Sequence, residues 1–456
     1  MLPKEIFKAY DIRGVVDKTL TENVVTRIGQ ALGTEALAAG QTSIIVGRDG
    51  RLSGPRLANA LMKGVMASGC DVIDIGQAPT PVIYFAGFHL GTQSVVAVTG
   101  SHNPPEYNGL KIVINGETLA GERIQAIRQR IVDGAVVHGT GNRRRHEMLK
   151  AYIERIIDDV KPRRPMKIVI DCGNGVAGAV APKLFRALGC HTVDLFCEVD
   201  GNFPNHHPDP SQPENLRDLI DAIKQHHAEV GLAFDGDGDR LGVVAPDGST
   251  VWPDRQMILY ARDILSRQPG GKVIFDVKCS RKLPAEITAA GGKPVMWRTG
   301  HSFIKAKLKE SGAVLAGEMS GHIFFKERWF GFDDGLYTGA RLIELLSMQD
   351  ATPQQVFDAL PDSVNTPELH IEMDEGEHFV FMDELLEKAS FPDGKFSKID
   401  GLRVDFEDGF GLIRPSNTTP LLVLRFEADN DAALLRIQDQ FKQLIQTTRP
   451  GTTVPF

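Results

Sequence analysis

Short β-branched runs that stop at Gly or at a polar cluster alternate with stretches whose apolar residues recur at helical spacing, and this alternation sets the rhythm of the chain. Ser43–Gly47 is predicted as a strand, Arg48–Gly54 as a polar loop, Pro55–Ser68 as a helix and Asp71–Ile75 as a second strand, after an amphipathic stretch over Asn23–Ala38. That order reads as a βαβ unit with a parallel sheet. It returns at Lys167–Asp171, runs through a Gly-rich loop and a helix ending at Leu188-Gly-Cys190, and closes on Thr192–Leu195. It returns again from Lys272–Asp276, past Lys278 and a helix ending at Ala290-Gly-Gly292, to Pro294–Trp297. After Ser363 the texture changes to strands at Glu368–Met373, Gly401–Phe406 and Leu421–Ala428 and amphipathic helices at His378–Lys388 and Asp431–Ile445. The expected fold class is therefore α/β, with three similar mixed α/β domains and a smaller C-terminal α+β domain. Boundaries near Arg143-Arg-Arg145 and the hairpin-like Pro246-Asp-Gly248 give domains of 1–146, 147–249, 250–362 and 363–456.

Composition narrows the class without naming it. The 456 residues, 42% hydrophobic and 24% charged, describe an ordinary globular chain with material for several cores. A net charge of -8 argues against a nucleic-acid groove. No run reaches the length of a membrane span, and Met1-Leu-Pro-Lys-Glu5 lacks a basic-then-apolar signal pattern, so a cytoplasmic location is expected. Cys70, Cys172, Cys190, Cys197 and Cys279 are odd in number and scattered, which predicts core thiols rather than a disulfide framework or a zinc knuckle.

Two motifs carry chemistry. The apolar run Val95–Val98 hands over to Thr99-Gly-Ser-His-Asn-Pro-Pro105, which mounts the Ser101 hydroxyl on a stiff loop beside His102 and Asn103, with Lys111 ten residues on. In isolation such a loop is a turn whose Ser and Asn bond their own backbone. Further on, Phe234-Asp-Gly-Asp-Gly-Asp-Arg240 follows an apolar stretch. If the chain stays extended there, Asp235, Asp237 and Asp239 project from one side and converge on a hard cation. Counted as a calcium loop from Asp235, the sixth position is Arg240 instead of Gly and the twelfth is Pro246 instead of Glu, so that reading fails and Mg²⁺ is favoured.

Gly173-Asn-Gly-Val-Ala-Gly178 matches the dinucleotide fingerprint between a strand and a helix, with Asp194 or Glu198 further on, and this is the case for an oxidoreductase. It leaves Ser101 and the Asp triplet unexplained. Arg298-Thr-Gly-His-Ser302 and Gly317-Glu-Met-Ser-Gly-His322 follow strands of the third unit, where Glu318 and Ser320 suit vicinal sugar hydroxyls. Arg414-Pro-Ser-Asn-Thr-Thr-Pro420 combines a guanidinium fork with short-armed donors suited to a phosphate.

Taken together, Thr99-Gly-Ser-His-Asn-Pro104, Asp235-Gly-Asp-Gly-Asp-Arg240, Gly317-Glu-Met-Ser-Gly321 and Arg414-Pro-Ser-Asn-Thr418, one per domain, resemble the α-D-phosphohexomutase family over essentially the whole chain. Ala9-Tyr-Asp-Ile-Arg-Gly14, Asp200-Gly-Asn-Phe-Pro-Asn205 and Phe324-Phe-Lys-Glu-Arg-Trp-Phe330 are similar to its bacterial members that act on both mannose and glucose phosphates. The resemblance implies four domains around a central cleft. It implies Ser101 as the phosphoserine and, with Asp235, Asp237 and Asp239, as a Mg²⁺ ligand, and it puts His102, Lys111 and Arg13 beside it in catalysis. Tyr10, Arg240, Lys278, Thr299, Gly300, His301, Glu318, Met319, Ser320, Gly321 and His322 are implied as substrate contacts, and Arg414, Ser416, Asn417 and Thr418 as the distal phosphate clamp. The implied reaction is reversible phosphate transfer between O1 and O6 of mannose and glucose phosphates through a hexose 1,6-bisphosphate, with glucose 1,6-bisphosphate as activator. The implied setting is a cytoplasmic monomer that supplies sugar-nucleotide precursors for exopolysaccharide and lipopolysaccharide, with hexose phosphates as its partners and neither nucleic acid nor membrane among them. Beside this stand a phosphoglucosamine mutase, a phosphatase using the same Ser and metal, an NAD(P)-dependent oxidoreductase and a non-catalytic sugar-phosphate binder.

Overall fold

Each of the three strand-loop-helix-strand runs folds as its apolar spacing predicts, in a computed structural model that describes residues 2–417 and 419–456. Strands Ser43–Arg48 and Asp71–Gln77 pair in parallel, joined by the helix Gly54–Ala67, whose Pro55 suits the first turn because its missing N–H has no helical partner to lose. Lys167–Asp171 and His191–Leu195 pair in parallel around the helix Ala181–Ala187. Lys272–Asp276 and Lys293–Trp297 do the same around Lys282–Ala289.

The chain divides into two compact units, Met1–Gln256 with His301–Ala359, and Met257–Gly300 with Leu360–Phe456. In the first unit a seven-stranded sheet runs in the order Ile12–Val15, Tyr107–Ile114, Val95–Val98, Ser43–Arg48, Asp71–Gln77, Arg143–Arg145, with Glu117–Thr118 beside Tyr107–Ile114. Val95–Val98 is buried along its whole length between a parallel and an antiparallel neighbour. The loop at its carboxyl end is where open α/β sheets bind ligands. The three exposed arginines near the expected boundary form an edge strand, whose charge guards unpaired backbone against further pairing. A second sheet of five strands runs Thr250–Val251, Leu241–Val244, Val230–Phe234, Lys167–Asp171, His191–Leu195, and Pro246–Gly248 is the hairpin turn that the sequence predicts. The antiparallel pair Leu315–Gly317 and Ile323–Phe325 also belongs to this unit.

The second unit holds the parallel pair Lys272–Asp276 and Lys293–Trp297 and a six-stranded antiparallel sheet. Its strands include Gly409–Pro415, paired between Leu402–Asp405 and Leu421–Ala428, and the helices Glu377–Lys388 and Asp431–Thr448 close a core around Phe381, Ile437 and Phe441. Four of the five cysteines are buried and Cys197 is half-buried, in keeping with core thiols. No helix among the described residues is long and apolar enough to cross a membrane.

The helices Glu22–Ala38 and Gly54–Ala67 meet backbone to backbone: a Cβ on Gly64 would lie 2.0 Å from the carbonyl oxygen of Thr26, and one on Gly29 would lie 2.2 Å from that of Leu61. Neither carbonyl can retreat, because each belongs to a helix. Gly64→Ala should therefore wedge the helices apart and destabilise the first unit by about 2–3 kcal/mol, seen in scanning calorimetry as a Tm lower by roughly 5 °C or more. An unchanged Tm would mean that the helices separate freely.

Candidate active site

Ser101 leaves the end of the Val95–Val98 strand in a left-handed backbone conformation, φ 51°, and is 1% exposed. Its N–H donates to Thr99 Oγ1 at 2.8 Å. Its hydroxyl donates to Asp235 Oδ2 at 3.1 Å and lies 3.2 Å from His102 Nδ1. Burial and the charges of Arg240, Arg13 and Lys111 push the His102 imidazole well below its usual value, so the ring is neutral at physiological pH. Arg13 donates to the Asn103 side chain and to Asp11, each at 2.5 Å, bracing the far side of the loop.

The three carboxylates do converge, but by a different route from the extended chain that the sequence suggests. The strand ends at Phe234, and Asp235 Oδ1 accepts from the N–H groups of Gly238 at 3.0 Å and Arg240 at 3.1 Å, curling the segment into a turn with Gly238 at φ 78°. A carboxylate that bonds its own downstream backbone is a stronger local determinant than the period of two. Asp235, Asp237 and Asp239 are all fully buried, with an oxygen of each within 4.8 Å of the others. Lys111, on the strand Tyr107–Ile114, places its ammonium 2.8 Å from Asp237 and 2.5 Å from Asp239. Burial and its two acidic neighbours push Asp235 well up, whereas Lys111 and His322 outweigh burial to hold Asp239 well below the usual carboxylate range. Burial likewise depresses Lys111, but Asp237 and Asp239 overcome it and keep the amine protonated.

The cluster fits a divalent cation. Asp237 Oδ2 already accepts from Thr80 at 2.6 Å and from Lys111, with Thr99 Oγ1 3.1 Å away, while Asp237 Oδ1 is buried with no hydrogen-bond partner and Asp239 Oδ1 faces only the His322 ring at 3.3 Å. Oxygen donors aimed into one buried space are what a hard ion satisfies.

His322, beyond the strand Leu315–Gly317, lies 3.3 Å from Asp239 through Nε2 and 3.0 Å from Glu318 through Nδ1. Burial and Arg240 oppose its protonation, but the two carboxylates prevail and its pKa stands at about 9. Glu318 is thus engaged with His322, and Ser320 Oγ sits 3.2 Å from the same ring. Met319 and Gly321 complete that turn, with Gly321 at φ 98° and a half-buried Met319. Arg240 Nε is 3.2 Å from His322 Nε2. His301 packs its ring on Tyr10 at 5.5 Å and stands 3.5 Å from Asp333, which also pairs with Lys305 at 2.8 Å. The first unit therefore gathers Tyr10, Arg13, Ser101, His102, Lys111, the Asp triplet, Arg240, His301 and Glu318 to His322.

The second unit gathers the rest by itself. Arg414 holds Asp400 through Nε at 2.9 Å and Nη2 at 3.3 Å, and Asp400 also accepts from the Thr299 N–H at 3.0 Å. Thr299 Oγ1 donates to Asp276 at 3.1 Å, next to Gly300 at φ 129°. Lys278 pairs with Glu368 at 2.6 Å. Ser416 Oγ lies 3.0 Å from Thr419 Oγ1, Asn417 is half-buried, and Thr418 lies outside the described residues.

The dinucleotide fingerprint is overturned. A Cβ at Gly178 would sit 2.0 Å from the Cys197 carbonyl oxygen, and at Gly173 it would sit 3.0 Å from His206 and Pro208. At Gly175 it would sit 3.0 Å from the Gly236 Cα, and the Val176 N–H donates to the Gly236 carbonyl at 3.1 Å. Gly175 and Gly178 admit the chain's own backbone, and the motif buttresses the carboxylate turn. Residues that the motif reading passes over are Asp49, Arg51, Thr80, Asp333, Lys305, Asp400 and Glu368. Opposite charges two residues apart in Asp49-Gly-Arg51 are the one signal that could have flagged the first pair.

Models of one family, described as phosphoglucomutase/phosphomannomutase, match successive parts of the chain: alpha/beta/alpha domain I at residues 4–135, domain II at 150–248, domain III at 252–364 and the C-terminal domain at 368–444. The chain is 54% identical over 455 residues to a phosphomannomutase/phosphoglucomutase of Pseudomonas aeruginosa, covering 100% of this chain and 98% of that one. It is 54% identical over 450 residues to a phosphoglucomutase of Neisseria meningitidis, covering 98% of each. A crystal structure of a phosphoglucomutase/phosphomannomutase family protein from Burkholderia thailandensis matches with a TM-score of 0.96 and 53% identity, covering 100% of both chains.

Titration with a divalent cation should raise the Tm of the first unit, on the order of 2.7 kcal/mol of stabilisation at a hundredfold excess over the dissociation constant. In Asp237→Asn the shift should vanish. A shift of equal size in the variant would place the ion elsewhere.

Proposed function

This chain belongs to the phosphoglucomutase/phosphomannomutase family, and we propose that it transfers phosphate reversibly between O1 and O6 of hexose phosphates, mannose and glucose phosphates among them, with Ser101 as the carrier. The observation that carries the proposal is the buried Ser101 hydroxyl 3.1 Å from one of three carboxylates that converge in a buried space, where Asp237 Oδ1 has no hydrogen-bond partner. A hydrolase would need a water delivered to the same point; a carrier needs a hydroxyl shielded from it, and Ser101 is shielded.

In the forward half-reaction the phosphoserine P–Oγ bond breaks as a bond forms from phosphorus to the free hydroxyl oxygen of the sugar phosphate. The hydroxyl proton leaves to a nearby base, and Ser101 Oγ departs within the reach of His102. In the second half, the 1,6-bisphosphate presents its other phosphate, Ser101 Oγ attacks it, and the freed sugar oxygen takes a proton. His102 at the serine and Lys111 at the carboxylates stand beside these proton movements. Asp235, Asp237 and Asp239, with Ser101, would hold Mg²⁺, the hard ion favoured by an all-oxygen set beside a phosphate. When bound, it offsets charge developing on the transferring group.

Arg13, Tyr10, Arg240, His301 and the Glu318–His322 turn are assigned to the sugar phosphate in the first unit. Lys278, Thr299, Gly300 and the loop Arg414, Ser416, Asn417 and Thr418 are assigned to phosphate and sugar oxygens in the second. Glucose 1,6-bisphosphate is assigned as activator, because it rephosphorylates a serine that has lost its phosphate. A monomer in the cytoplasm supplying precursors for exopolysaccharide and lipopolysaccharide completes the proposal.

Mannose 1-phosphate incubated with Mg²⁺ and a catalytic amount of glucose 1,6-bisphosphate should yield mannose 6-phosphate; inorganic phosphate in its place would make the protein a phosphatase. Ser101→Ala should lose about a thousandfold or more in kcat while still binding substrate in calorimetry. Near-normal turnover by that variant would remove the carrier role.

A further inference from the structure

We propose that Arg51 is the positioning residue of the Ser101 loop: its guanidinium ties the loop's carbonyls to one buried point and so sets where the Ser101 hydroxyl meets the carboxylate turn. The inference rests on the reading of Ser101 as the phosphate carrier.

All five of its side-chain N–H groups are used. Nη1 donates to the carbonyls of Pro104 at 2.5 Å and Tyr107 at 3.0 Å, Nη2 to those of Ser101 at 2.8 Å and Asn103 at 2.5 Å, and Nε to Asp49 at 3.2 Å. Arg51 is 1% exposed, so water supplies none of these bonds. Asp49 carries the arrangement back into the loop: it accepts from Thr99 Oγ1 at 2.8 Å and from the Gly100 N–H at 3.1 Å. Thr99 Oγ1 in turn receives the Ser101 N–H. Ser101 is thus held at both ends of its own peptide environment, by its N–H through Thr99 and Asp49 and by its carbonyl through Arg51. A left-handed non-glycine residue persists only when its surroundings over-determine it, and this is what over-determines Ser101.

Two other features fit the same device. The Arg51 guanidinium lies over the Phe203 ring at 5.2 Å, which gives the Asp200–Asn205 motif a use as its platform. A Cβ on Gly236, in the carboxylate turn, would come within 2.3 Å of the Ser101 carbonyl oxygen, so the oxygen that Arg51 grips is also the surface on which that turn rests. Four carbonyl oxygens directed at one point repel unless a planar cation with paired donors sits among them. Lysine, with three donors and no plane, cannot reproduce the fork.

The test uses the full-length Mg²⁺-loaded protein, with Ser101 phosphorylated by glucose 1,6-bisphosphate and its occupancy measured by mass spectrometry. In Arg51→Lys, kcat per phosphorylated serine on mannose 1-phosphate should fall about a hundredfold, while KM stays within about threefold and the far-ultraviolet spectrum is unchanged. Gly100→Ala is the independent variant: its Cβ would lie 2.4 Å from Arg51 Cζ, so it should displace the guanidinium while Arg51 itself is kept, and show the same split between kcat and KM. If Arg51→Lys does not fold, Gly100→Ala alone decides. Parental kcat per phosphorylated serine in a folded variant overturns the inference, as does a loss fully accounted for by lower serine occupancy or by a raised KM. Ser101→Ala runs in parallel: an inactive Ser101→Ala beside a fully active Arg51→Lys removes this inference alone, whereas an active Ser101→Ala removes the carrier reading and this inference with it.

Discussion

Three carboxylates in one water-free volume can coexist only if positive charge is brought to them, and much of the first unit is arranged to bring it. Lys111 comes from the strand Tyr107–Ile114 of the larger sheet, His322 from the turn after Leu315–Gly317, and Arg240 from the end of the carboxylate turn itself. Lys111 and His322 are buried and Arg240 is half-buried, and each would be an expensive group to enclose alone. The acids and bases therefore justify one another: removing either side leaves uncompensated charge on the other. This mutual dependence ties three segments distant in sequence to one point, and it leaves room for one more cation at Asp237 Oδ1, which none of the three reaches.

The backbone around that point is shaped by close approach more than by side chains. Gly175 and Gly236 let the Gly-rich loop and the carboxylate turn touch through their main chains, and Gly236 lets the turn lie on the Ser101 carbonyl. These contacts transmit position without a flexible side chain between them. The Ser101 loop, the turn of the carboxylates and the Gly-rich loop behind them thus form a stack of backbones in which a small displacement of one must move the next.

Much of this was legible in the chain before folding. The βαβ runs were visible because their strands are apolar runs ending at Gly, a signal that tertiary context rarely reverses. The Asp triplet was visible because three acids at alternate positions have no good structural use without a cation. The turn that unites them was not visible, since it depends on Asp235 bonding the N–H groups of Gly238 and Arg240, and an Asp in a Gly-rich segment writes the same letters whether the chain is extended or curled. Gly173–Gly178 misled for a related reason: Gly marks close approach but not what approaches. Arg51 and Asp400 were missed because a charged residue in a polar loop reads as solvated, and only the fold shows that the first is enclosed by carbonyls and the second by Arg414 and Thr299.

The left-handed backbone at Ser101 bears on why the chain uses serine there. A threonine hydroxyl can carry a phosphate as well as a serine hydroxyl can, and exchange between the two is among the mildest in chemistry. At φ 51°, however, a second substituent on Cβ presses against the main chain, and a β-branched residue becomes an outlier. The choice of alcohol is thus made by backbone sterics and not by reactivity. Over evolutionary drift, this position is closed to its nearest chemical equivalent for as long as the carbonyls around it keep their shape.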